Sequence, residues 1–69
     1  MKLKLKFVGF NKKEEVLEFK ERKKYFEILE ELNINPETVV LVKGSIPVPV
    51  DDFVEEGELM VVRVISGGQ

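Results

Sequence analysis

The chain has 69 residues, with 11 Lys and Arg against 13 Asp and Glu and a net charge of −2; this makes one domain, near the length at which a single core barely suffices. With no Cys and no His, it has no disulfide, thiol nucleophile, imidazole base, usual zinc ligand or Ser-His-Asp arrangement, which argues against an enzyme acting by itself. The acidic balance argues against bulk nucleic-acid binding, and no apolar run reaches membrane-spanning length or resembles a signal peptide, so the expected setting is cytoplasmic, with neither nucleic acid nor membrane as partner.

Lys2, Lys4 and Lys6 alternate with Leu3, Leu5 and Phe7, the period of a strand with one wet face and one buried face. Gly9 to Lys13 reads as a turn, after which Leu17 and Phe19 alternate with Glu18 and Lys20, so an N-terminal hairpin is expected. From about Lys23 the period changes. Tyr25, Ile28, Leu29 and Leu32 fall on one arc of a helix with Glu27, Glu30 and Glu31 outside it. No Ser, Thr or Asp caps its start, whereas Asn33 suits a left-handed cap and Pro36 bars continuation.

Thr38 to Val42 is a β-branched run, and Lys43-Gly44-Ser45 suits a tight turn into Ile46-Pro47-Val48-Pro49. Two prolines so close restrict that piece to a short edge strand or an irregular connection. Asp51, Asp52, Glu55, Glu56 and Glu58 surround Gly57; their spacing matches no calcium loop, and they read as a wet acidic turn pinned by Phe53 or Val54. Glu58 to Ile65 is apolar at both parities, as a central strand is. The predicted core is Leu3, Leu5, Phe7, Leu17, Leu29, Leu32, Val40, Val42, Met60, Val62 and Val64.

A buried last strand reached by a crossover pairs parallel to the first in mid-sheet, with the helix over one face. The expected fold class is therefore α+β: a ubiquitin-like β-grasp with a mixed sheet of four to five strands packed on one helix. It occupies residues 1–65 as a single domain. Residues 66–69, with Gly67-Gly68 in them, cannot bury enough area to offset their ordering entropy and read as a flexible tail, slim enough to be threaded into a narrow site.

Several segments together resemble the small ThiS/MoaD-type sulfur carriers, including those akin to archaeal modifiers. They are Leu29-Glu30-Glu31-Leu32-Asn33-Ile34-Asn35-Pro36, Val40-Leu41-Val42-Lys43-Gly44, Val48-Pro49-Val50-Asp51, Val54-Glu55-Glu56-Gly57-Glu58 and Gly67-Gly68. They run over nearly the whole chain in the family's order. The family often has Asn-Gly in place of Lys43-Gly44 and Gly-Asp in place of Gly57-Glu58, swaps that preserve turn chemistry. Its second glycine is the terminal residue, whereas here Gln69 follows, so the resemblance implies removal of Gln69 before Gly68 reacts.

The resemblance implies a carrier that is a substrate and not a catalyst. A ubiquitin-activating-type adenylyltransferase, holding ATP and Mg on its own side, would adenylate the Gly68 carboxylate. A persulfide donor would then leave a thiocarboxylate there for an acceptor synthase or thiolase, with the sulfur destined for thiamine, molybdopterin (the molybdenum cofactor) or tRNA. No cofactor is expected on the chain itself. Three alternatives stay open: a ubiquitin-like modifier joined to lysines, a plain β-grasp interaction module, and the small subunit of a two-protein synthase. The expected docking surface for the activator is Leu59, Val61, Arg63 and Ile65, beside Val39 and Leu41, on the sheet face away from the helix and flanked by Lys2, Lys4 and Lys6.

Overall fold

Leu3, Leu5 and Phe7 are buried while Lys2, Lys4 and Lys6 reach toward water, so β1 (Lys2–Val8) forms as its alternation requires. The computed structural model describes residues 1–64. β2 (Glu14–Glu18) returns antiparallel to β1 with Leu3 opposite Leu17. Helix α1 (Tyr25–Glu31) follows, then a 3₁₀ turn at Pro36–Thr38. The hairpin of β3 (Val39–Lys43) and β4 (Ile46–Val48) comes next, and β5 (Gly57–Arg63) closes the order. The sheet has five strands in the order β2-β1-β5-β3-β4, with β5 parallel to β1 and antiparallel to β3. This is the β-grasp topology that the crossover argument requires.

The start of α1 lacks a side-chain cap because distant backbone does that work. The amides of Tyr25 and Phe26 donate to the carbonyls of Asp52 and Val50 at 3.1 and 2.9 Å, and the Glu27 carboxylate accepts from the Lys24 amide at 2.8 Å. Val54 ties the same loop down, its side chain buried and its amide donating to the Lys23 carbonyl at 2.7 Å. Phe53 stays exposed, with the Arg22 guanidinium 4.5 Å from its ring centre. At the other end Asn33 takes φ +61°; its amide donates to Glu30 and that of Ile34 to Leu29, at 3.0 and 2.8 Å, a Schellman closure. The 3₁₀ turn has a local signal in the sequence. Asn35 precedes Pro36, and its side chain accepts from the Glu37 amide at 2.9 Å.

The β3–β4 turn is made by Gly44 and Ser45, both at positive φ, which gives the backbone twist a two-residue hairpin needs. Pro47 is accommodated because β4 is an edge strand.

One set of expectations reverses. Leu59, Val61, Val39 and Leu41 are in the core with Leu3, Leu5, Tyr25, Ile28, Leu29 and Val54. Val40, Met60 and Val64 are exposed, and Val42 and Val62 are half-buried on the other side of the sheet. Leu17 and Leu32 pack against the core as partly buried side chains. β3 and β5 are apolar at both parities, so their alternation does not choose a face. The register chooses it: Leu5 lies beside Leu59 and Lys4 beside Glu58, and antiparallel pairing places Leu41 opposite Val61. The face of the lysines is thus also that of Glu58 and Met60.

Candidate functional site: the open face of the sheet

Of the residues expected to form the docking surface, Leu41, Leu59 and Val61 are 1, 2 and 0% exposed. They hold the helix and offer nothing to a partner. Arg63 is exposed, but it shares their parity and stands on the helix side at the end of β5. Ile65, Gly67, Gly68 and the tail expected at residues 66–69 lie outside the described residues.

The open face does carry an apolar strip, built from the alternate residues. Pairing aligns Val8, Val62 and Val40 across β1, β5 and β3, and in the next row Lys6, Met60 and Val42, with Pro47 of β4 beyond. Val8, Val40 and Met60 are exposed, and no helix among the described residues covers them. Charge rims this apolar strip on one side: Glu58 lies 3.3 Å from Lys6 and 3.9 Å from Lys4, which is also 3.6 Å from Glu14. A depression of about 410 Å³ lined by Lys6, Val42, Gly44, Ser45, Glu58 and Met60 gives the strip relief beside the β3–β4 turn. The expected lysine row is therefore right, and its apolar neighbours are one residue out of phase with the expectation.

The acidic turn is also accounted for. Glu55 pairs with Lys43 at 3.0 Å, Glu56 accepts from the Lys2 amide at 3.3 Å, and Glu58 joins the lysines of β1. Among the described residues no group of three acidic side chains is placed to hold a metal ion. No helix among them is long and apolar enough to cross a membrane. One titration is displaced: the hydrogen bond from Lys23 to Glu31 raises the lysine pKa above its ordinary value, against an opposing desolvation, with the charges of Glu31, Glu27 and Glu21 adding to the rise.

A one-helix β-grasp with an apolar strip on the open face beside its central strand defines a ubiquitin-like protein. Residues 1–65 match the family described as Small archaeal modifier protein 2, and the chain belongs to that family. It is similar to an uncharacterized protein of Archaeoglobus fulgidus, 66% identical over 68 residues that cover 99% of this chain and 100% of the relative. It is also similar to the sulfur carrier protein TtuB of Thermus thermophilus, 54% identical over 43 residues, 61% of this chain and 66% of that protein. The resemblance to the ThiS/MoaD-type ubiquitin-like family holds.

Proposed function

We propose that the chain is a sulfur carrier whose Gly68 carboxylate is adenylated by a ubiquitin-activating-type enzyme and converted to a thiocarboxylate. The observation that carries this reading is the family match over residues 1–65, followed in the sequence, after Ser66, by Gly67-Gly68. The named sulfur carrier among its relatives supports the choice of sulfur transfer. A carboxylate is inert to nucleophiles at neutral pH. Attack of the Gly68 carboxylate on the α-phosphorus of ATP expels pyrophosphate and forms a mixed anhydride with AMP as leaving group. The terminal sulfur of a donor persulfide displaces AMP, and a thiol then cleaves the S–S bond to the donor, leaving the thiocarboxylate. Glycine at both positions allows close approach of the activator's backbone, since neither carries a side chain.

The carrier contributes the acyl group and a surface. The strip of Val8, Val40, Met60 and Val62, with the ion pairs of Lys4, Lys6 and Glu58 at its rim, is the docking face for the activator in this reading. Conjugation of the same activated acyl group to a lysine is the second reading, favoured by the modifier name of the family. Thiamine, molybdopterin and tRNA are the candidate sulfur destinations.

Two forms of the chain, one ending at Gly68 and one at Gln69, are incubated with the activator from the same genome and compared by ATP–pyrophosphate exchange and intact mass. Activation of the Gly68 form and a mass shift from replacement of one oxygen by sulfur are expected. A Gly68 form that supports no exchange would remove the carrier reading. Equal reaction of the untrimmed form would move adenylation to Gln69. An isopeptide remnant on lysines, without the sulfur mass, would select the modifier.

A further inference from the structure

A groove of about 620 Å³ opens on the helix side of the sheet, at the end of β5. Three segments far apart in sequence build it. Phe7 ends the buried row of β1, and the β1–β2 turn brings Phe10 edge-on to it, with ring centres 5.3 Å apart at 66°. Across the groove the Schellman closure of α1 presents Leu32 and Ile34, and the exposed amides of Asn11 and Asn33 stand on opposite banks. Arg63 closes the end nearest Val64, whose amide is held by the Thr38 carbonyl at 2.9 Å. Gly9, at φ +88°, lets the turn pass over Arg63: a Cβ there would lie 3.1 Å from the Arg63 Cβ.

The groove's lining is basic in a chain that is acidic on balance. Acidic residues outnumber basic ones 13 to 11 in the chain, yet none of the groove's ten lining residues is acidic, and Lys12 and Arg63 are among them. Lys12 is answered by Glu15 at 2.7 Å. Arg63 enters no ion pair among the described residues, and its guanidinium stands 5.9 Å from the Phe10 ring centre. The position matters as much as the charge. Val62 faces the open strip and Arg63 the groove, so an enzyme that takes residues 65–68 into its active site arrives over the strand end where both surfaces meet.

We propose that the groove receives an extended segment of the adenylating enzyme, with an apolar side chain entering between Phe10 and Ile34 and a carboxylate meeting Arg63. The enzyme then grips β5 from both sides of the sheet. This rests on the carrier reading above.

The test uses the form ending at Gly68 and the activator from the same genome, with ATP–pyrophosphate exchange followed against carrier concentration. Arg63→Glu is expected to raise KM by about tenfold or more with kcat little changed, and Arg63→Lys to retain most of the affinity. Lys12→Glu is expected to raise KM less, because Glu15 already compensates that charge. Thermal unfolding of each variant shows whether it is folded. If the unmodified carrier is inert, the carrier reading itself has failed. If it is active and both charge reversals leave KM unchanged in folded protein, the groove proposal alone is overturned. It is also overturned if Arg63→Glu lowers KM while deletion of residues 65–69 shifts the amide resonances of Phe10, Asn33 and Ile34, because the carrier's own tail is then the occupant.

Discussion

Replacing Val61 or Met60 by glutamate changes consecutive residues of one strand, and the fold requires opposite outcomes. Val61 is 0% exposed, and Met60 is 41% exposed beside Lys6. At Val61 the substitution forfeits about 1.5 to 3 kcal/mol of valine burial and puts a carboxyl group among Leu5, Leu41 and Leu59, where no polar partner waits. That group costs several kcal/mol more, whether it ionises or takes up a proton. A chain of 69 residues has a total stability of roughly 3 to 10 kcal/mol, so Val61→Glu is expected to be unfolded or nearly so at 25 °C. At Met60 the side chain is already partly wet, the lost burial is about 1 kcal/mol or less, and a carboxylate next to Lys6 recovers part of it. Urea unfolding followed by far-UV circular dichroism measures both. Met60→Glu should shift the midpoint by less than about 1 M, retain the native spectrum and lose activation by the adenylating enzyme. A folded Val61→Glu together with an unfolded Met60→Glu would refute the parity and everything built on the open face.

Leu29→Ala removes a fully buried helix side chain over the sheet, and a loss of about 2 to 5 kcal/mol is expected in the same urea assay; a loss under 1 kcal/mol would mean that α1 does not anchor the core. Gly9→Ala places a side chain at φ +88° against Arg63 and should destabilise by roughly 1 kcal/mol, the left-handed penalty being partly offset by the lower entropy of the unfolded chain; increased stability would refute the turn geometry. The raised pKa of Lys23 predicts a pH dependence with a definite sign. The ion pair with Glu31 contributes below the unfolded lysine pKa, near the ordinary value of 10.5, and is lost as pH rises through the higher folded value. The difference in Tm between the unmodified chain and Glu31→Gln should hold steady from neutral pH and close in strongly alkaline solution, whereas a difference that widens there would contradict the pairing.

Much of the architecture is local in origin and legible along the chain. The alternation of Lys2 to Phe7, the arc of Tyr25, Ile28, Leu29 and Leu32, the stop at Asn33 and Pro36, and the turn at Gly44-Ser45 all depend on neighbours within a few residues. Crossover topology then suffices to place β5 parallel to β1 in mid-sheet. The open face of the sheet, with its lysine row, follows from the same alternation. Gly67-Gly68 carries the candidate chemistry in its sequence alone.

Tertiary structure decided which apolar residues face which way. In β3 and β5 both parities are apolar, so burying either set releases similar apolar surface from water, and a one-residue change of phase exchanges core for surface. The β1–β5 register broke that tie by setting Leu59 beside Leu5, with Glu58 between the charges of Lys4 and Lys6. Leu41, Leu59 and Val61 therefore became core, and Val8, Val40, Met60 and Val62 became the face. The start of α1 and the groove have the same origin. The groups that satisfy Tyr25 and Phe26 come from Asp52 and Val50, and those that surround Arg63 come from residues 7–12 and 32–38. Alternation along a strand ranks its own residues, whereas long-range pairing determines which distant carbonyl, ring or charge each one meets.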